Sequence, residues 1–308
     1  MFKASGTVFS RPTCFAAVVW LVLSLPSLVG QETGAGNAAL PFAWPSSAAA
    51  IPAANRTAPS AVATFVREAL NGDATLLVPQ FIFSTFEQGR IDLVAHVDRR
   101  GFHAIVVIRP EGKMFRHWLF TDDQAENLAR DAADLDGDGV AELVTAPWAV
   151  GYEGAMTDPI YWYVIYKFRD GQPRNVSASF PSLYRGLMLP WLDYLERIFM
   201  GLDETDRAAY LYQLEKIQYL RLKYRRQIVG EKLAGLTEAL KWADSEKPNV
   251  QLLAVRTLQE IDDASSVAEL QKLVKSKNQG TCYGAVGALG IIQHREITAA
   301  DMAPCWQK

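Results

Sequence analysis

The strongest chemical signal in the chain is a run of four carboxylates within nine positions, Asp134-Leu-Asp-Gly-Asp-Gly-Val-Ala-Glu142. Asp134, Asp136, Asp138 and Glu142 stand at positions 1, 3, 5 and 9, while Gly137 and Gly139 let the backbone wrap tightly enough to turn the acids toward one point. Acids this close repel one another. A hard cation relieves the repulsion, and Ca²⁺ suits the spacing, with the Val140 carbonyl at the seventh position as a further oxygen ligand. An EF-hand is excluded, because position 12 is Thr145 instead of a bidentate Glu and Leu143-Val144 reads as strand. The same residues also suit a solvated Asp-Gly hairpin without metal.

Other reactive constellations are missing from the sequence. There is no Gly-x-Ser-x-Gly elbow, His-Glu-x-x-His helix, phosphate-cradling Gly-x-x-x-x-Gly-Lys or dinucleotide glycine fingerprint. His96, His103, His117 and His294 show no ligand spacing and read as sheet or surface residues. The expectation is a protein that is not an enzyme, with no organic cofactor. A hydrolase with unrecognised catalytic carboxylates and a structural calcium site is the alternative.

The acidic run resembles the calcium loop of FG-GAP or VCBS repeats, in which an acidic loop joins two strands. That resemblance implies Ca²⁺ ligation by Asp134, Asp136, Asp138, Glu142 and the Val140 carbonyl. At a shift of 38 residues, Ala95 to Val106 aligns with Ala133 to Val144 with four of twelve positions identical. His96, Arg100 and Ala104 replace Asp134, Asp138 and Glu142, so this segment reads as a degenerate copy that holds no cation. Two copies are too few for a closed propeller.

The elements around the loop are strands. Ile91 to Val97, Phe102 to Ile108, Met114 to Phe120, Leu143 to Val150 and Ile160 to Phe168 are short and rich in β-branched and aromatic residues. Asp98-Arg-Arg-Gly101, Glu111-Gly112 and Asp170-Gly171 supply turns between them, so an antiparallel sheet is expected. A helix precedes them, capped by Ser60, with Val62, Phe65, Val66 and Leu70 on one face and Gly72 as its stop.

Beyond Phe180 the apolar period becomes helical. Pro190 opens one helix carrying Trp191, Leu195, Ile198 and Phe199, and a longer helix carries Tyr210, Leu214, Ile217, Leu220, Tyr224 and Ile228 up to Gly230. Leu236 to Ile261 then aligns on Val267 to Ile292 at an offset of 31, with seven of twenty-six positions identical. These include Ser245/Ser276, Ala254/Ala285, Val255/Val286 and Leu258/Leu289. Each unit reads as a helix pair, and Gly284-Ala-Val-Gly-Ala-Leu-Gly-Ile-Ile292 resembles the inner helix of HEAT-like repeats. Two units are short for a stack, which normally needs about three, so the helix from Asp203 to Val229 is expected to cap it. An unrelated helical bundle remains the other reading.

Residues 1–30 combine Lys3, Arg11 and the apolar run from Cys14 to Gly30, the pattern of a secretory signal. The mature chain is expected to be exported, periplasmic or extracellular; an uncleaved N-terminal membrane anchor is the alternative. Residues 31–60 hold ten Ala and four Pro with two charged residues and read as a flexible linker. The organisation expected is therefore α+β, with a β-rich domain over 61–180 and an all-α HEAT-like domain over 181–308.

A formal net charge of −3 in 308 residues, −5 once Lys3 and Arg11 are removed, gives no general attraction for nucleic acid. Lys216, Arg221, Lys223, Arg225, Arg226 and Lys232 crowd one helix, but Glu215 and Glu231 dilute the patch into an ordinary solvated face. After export Cys282 and Cys305 are the remaining thiols, and an oxidising compartment permits a disulfide between them; two free thiols are the alternative. The expected role is calcium-stabilised binding of a protein partner through the helical repeat.

Overall fold

The computed structural model describes residues 30–34, 42–51, 58–72, 74–99, 101–112, 114–122, 128–147 and 160–306. The signal expected over 1–30 lies, but for Gly30, outside the described residues. The chain separates into two compact units at Gly235/Leu236.

The first unit is built on two antiparallel sheets. β1 (Gly30–Gly34), β2 (Thr75–Glu87), β3 (Arg90–Arg99), β4 (Phe102–Glu111) and β5 (Met114–Thr121) form one, in the order β1-β5-β4-β3-β2. The short helix α2 (Leu128–Asp131) leads into the other, in which β6 (Ala132–Ala133), β7 (Glu142–Thr145), β8 (Val164–Arg169) and β9 (Gln172–Asn175) run in sequence order. The turns are those the sequence indicates: Gly101 and Gly112 have positive φ, as do Asp170 and Gly171, and the Asp98 carboxylate accepts from Gly101 N.

β3 is buried on both faces because the large sheet is a middle layer. Leu93, Ala95 and Val97 join Val106, Ile108 and Leu119 under helix α1 (Pro59–Ala69), which presents Val62, Phe65 and Val66. The opposite face carries Trp118 and Phe120, whose rings meet Phe168 and Tyr166 of the small sheet at 5.0 and 4.8 Å. Between these layers lies an ionic core. Arg109 donates twice to Asp92 at 2.7 Å and once to Glu87, and its guanidinium stands 5.2 Å from both the Trp118 and Phe168 rings. Burial alone would lower the pKa of Arg109, but Asp92 and Glu87 reverse this and hold it more firmly protonated.

Several sequence expectations need correction. β2 begins at Thr75, ahead of any strand read from the pattern, and its pairing with β3 shifts between Leu76 and Phe81, the interval that contains Pro79. A proline cannot donate to the ladder, so the strand passes it through an irregularity, and the pattern reads as broken. α1 starts on Pro59 after an Ala58 that offers no side-chain cap, so Ser60 lies inside the helix. Residues 31–60 are not simply a linker: β1 pairs with β5, Phe42 meets Phe65 edge-on, Trp44 meets Phe83 edge-on and Phe115 at a tilt, and Trp44 Nε1 donates to Ile91 O. Composition hid this because two aromatic rings among many alanines suffice to pin the segment against the core, although many of its described residues stay exposed.

The boundary expected at 180/181 also moves. A wide turn (Tyr184–Met188) leads into α3 (Leu189–Gly201), followed by α4 (Glu204–Tyr224), and both precede Gly235. They belong to the β-rich unit because Tyr184 donates its hydroxyl to Tyr163 O at 2.7 Å and packs its ring on Trp162, over which Lys223 of α4 also lies. The basic residues of α4 and its end are absorbed locally. Lys216 is fully buried, Arg221 pairs with Asp193 and Glu196, Arg225 with Glu231, and Arg226 donates to Ala234 O. The long helix is thus part of the β-rich unit.

The second unit is all helical: α5 (Leu236–Ala243), α6 (Pro248–Ile261), α7 (Ala264–Leu273), α8 (Gln279–Ile292) and α9 (Ala299–Trp306). α6 and α8 have equal length and sit 31 residues apart, the offset of the sequence repeat. Three of the identical pairs, Ala254/Ala285, Val255/Val286 and Leu258/Leu289, lie in the core of both repeats. Ser245 and Ser276 also act alike, each accepting from the backbone N–H two residues later. Ser276 further donates to Gln251 of the preceding pair, which stitches one repeat to the next.

Candidate functional site

The acidic loop links β6 to β7 and is shaped by its own side chains. Asp134 accepts from Gly137 N at 2.7 Å and Gly139 N at 2.9 Å, Asp136 from Asp138 N, and Asp138 from Val140 N. Gly137 and Gly139 both take positive φ, which is what the tight wrap demands of them. Glu142 is fully buried and accepts from Leu135 N, so it closes the base of the loop.

The structure adds a residue that the sequence reading missed. Lys167, on β8 of the same sheet, places its ammonium 2.8 Å from Asp136 Oδ2, 2.6 Å from Asp138 Oδ2 and 2.7 Å from Glu142 Oε1. Partial burial works against the charged lysine, but the three carboxylates outweigh it and hold Lys167 well above its usual range. The same contact is the main reason the Asp138 carboxyl falls below the usual range. Three of the four predicted acids thus converge on one cation position. Asp134, Asp136 and Asp138 also bring one oxygen each within 4.8 Å of one another. The oxygens fit a hard cation by chemistry and convergence, although Asp134 spends both oxygens on loop N–H groups and Lys167 Nζ stands at the focus.

The segment aligned with this loop is built differently. Asp98 to Gly101 is the turn of the β3–β4 hairpin in the large sheet, and among the described residues no cluster of acids stands there. His96 does not behave as an ordinary sheet residue. Its Nε2 lies 3.4 Å from Asp122 Oδ2 and 3.6 Å from Asp131 Oδ2, in the interior.

In the helical unit, Cys282 of α8 and Cys305 of α9 form a disulfide with their Cα atoms 5.6 Å apart. Cys282, Val286, Met302 and Cys305 make a small core of their own, with Ile297 packed against it. Gly290 permits that approach, since a Cβ there would come within 2.6 Å of Ile297 Cγ1. α8 is buried along nearly its whole length, as a central helix covered from both sides must be.

Among the described residues no helix is long and apolar enough to cross a membrane. No curated protein and no solved structure matches the chain. Residues 233–305 match the family of HEAT repeats, so the helical unit is HEAT-like, an architecture consistent with a protein-interaction surface.

Proposed function

We propose that this is an exported, non-enzymatic binding protein, whose β-rich unit is stabilised by Ca²⁺ and whose HEAT-like unit engages a protein partner. The observation that carries the binding role is the HEAT match over 233–305 together with two stacked helix pairs. Helical repeats of this kind expose an extended surface and use it for macromolecules. Export rests on the apolar N-terminal run and agrees with the Cys282–Cys305 disulfide, since such bridges persist in oxidising compartments.

The calcium reading rests on the convergence of Asp136, Asp138 and Glu142, and on the resemblance of the loop to FG-GAP calcium loops. Ca²⁺ would be held by Asp134, Asp136, Asp138, Glu142 and the Val140 carbonyl, and would supply charge neutralisation and rigidity. Lys167 then acts as a competitor: the ammonium keeps the acids together in the absence of the ion, and must leave for the ion to bind. Affinity is accordingly weak, roughly 10⁻⁴ to 10⁻³ M.

The binding role is tested with a photo-crosslinking residue introduced at the exposed Leu240 or Gln271 of the full chain in envelope extracts. A discrete adduct from the helical unit is expected. Adducts arising only from probes in the β-rich unit would overturn it. Calcium is tested by calorimetry on Asp136→Ala, which should abolish binding, and on Lys167→Met, which should tighten it about tenfold or more. Unchanged binding in both variants rejects the site.

A further inference from the structure

We propose that His96, Asp122 and Asp131 form a second metal site, buried inside the β-rich unit and selective for a transition-series dication such as Zn²⁺. It is separate from the acidic loop in both composition and burial. His96 comes from the middle of β3, Asp122 from the residue after β5 and Asp131 from the end of the short helix Leu128–Asp131. Their side chains are 2%, 2% and 6% exposed.

Geometry favours a shared ion over direct hydrogen bonds. The separations of 3.4 and 3.6 Å from His96 Nε2 are too long for good N–H···O bonds, and neither His96 Nε2 nor Asp122 Oδ2 has a hydrogen-bond partner in this interior position. Ligand atoms around a tetrahedral ion with bonds of about 2.0 to 2.2 Å lie about 3.3 to 3.6 Å apart, which is the spacing seen here. All three ligand atoms fall within 4.8 Å of one another. The second oxygen of Asp122 accepts from Ala146 N at 2.7 Å, which fixes the carboxylate with Oδ2 facing the imidazole. Such outer hydrogen bonds are what orient metal ligands.

Charge points the same way. Two carboxylates in a dry interior are costly unless they are neutralised, and a dication with a neutral imidazole cancels them. The imidazole nitrogen selects against Ca²⁺ and Mg²⁺, which prefer oxygen throughout, and toward the zinc group. The two sites therefore sort ions by ligand type: oxygen alone at the surface loop, nitrogen with oxygen in the interior.

The test uses the full chain carrying Asp136→Ala and Asp138→Ala, so that the acidic loop contributes nothing. The protein is stripped with chelator, dialysed and titrated with Zn²⁺ alone. One equivalent should bind, and the thermal midpoint should rise with it. His96→Gln and Asp122→Asn should each weaken binding by more than about 100-fold, beyond the tenfold to hundredfold typical of an outer-shell change. X-ray absorption at the zinc edge of the otherwise wild-type chain should show one imidazole nitrogen among oxygen ligands, and this readout stands even if a variant does not fold. Failure of the parent chain to bind Zn²⁺ would overturn the proposal. Undiminished binding in both variants, or a ligand shell without imidazole, would overturn it equally. None of these outcomes bears on calcium at the acidic loop.

Discussion

The helical unit and the β-rich unit bury different things. Between Leu236 and Trp306 the buried polar side chains are the hydroxyls of Thr257, Ser266 and Thr281 and one glutamate, Glu269, at the core's edge. The β-rich unit instead encloses Asp92, His96, Arg109, Asp122, Asp131 and Glu142. A small helix stack satisfies its backbone within each helix and can fill its core with Ala, Val and Leu. Two layered sheets bring strand ends and loops inward, and acids carried there must meet a cation. The first unit should therefore respond mainly to changes of covalent constraint and packing, the second to changes of charge.

The largest expected effect tests that contrast directly. Arg109→Met leaves Asp92 in the interior without its counter-ion and should cost roughly 3–5 kcal/mol in denaturant unfolding. Adding Asp92→Asn should recover part of the loss. A cost below about 1 kcal/mol would mean that the ionic core does not carry the β-rich unit, and the comparison would break.

Next in size is the covalent constraint of the helical unit. The Cys282–Cys305 bridge spans 23 residues, and in the chain-entropy picture its loss costs about 3 kcal/mol. The paired substitution Cys282→Ser with Cys305→Ser should lower the melting temperature of the helical unit and leave that of the β-rich unit in place.

Alkaline pH gives a third measure. Burial raises the Tyr184 hydroxyl from 10.0 to about 12. A folded-state pKa above the unfolded one gives stability that is complete below pH 10 and is lost as pH rises through 12. Over that window the β-rich unit should lose roughly 2–3 kcal/mol through this group. Tyr184→Phe should remove that pH dependence, and an unaltered alkaline slope in the variant would contradict the assignment.

The smallest effect refines the repeat. Ser276→Ala should cost about 1 kcal/mol, and Ser245→Ala less, because Ser276 carries the additional bond to Gln251. Equal costs at both positions would show that the link between repeats contributes nothing.

How legible each part was follows from the same contrast. The helix pairs and their register stand out in the chain because each depends on neighbours within a few turns, and the Cys282–Cys305 partnership because no other thiol remains once the N-terminal run is removed. The acidic loop is legible for the same reason, since its shape comes from hydrogen bonds among Asp134 to Glu142. Lys167 is not, because it is one lysine on a distant strand with nothing in its own surroundings to mark it. His96 is hidden further, as its companions come from the end of another strand and from a short helix. Phe42 and Trp44 were masked by the alanines around them, although their rings complete the core above the large sheet. Local chemistry announces itself in sequence, whereas partnerships created by layering do not.

The bridge between α8 and α9 also makes the segment it encloses tolerant of being cut. Gln293 to Glu296 lie exposed within the closed loop and include Arg295, a natural point of attack for a trypsin-like protease. A single nick there would sever the backbone and yet leave the tail fastened to α8. The molecule would migrate as one band on a non-reducing gel and as two after reduction. In an environment rich in proteases and poor in thiols, that converts a fatal cleavage into a silent one.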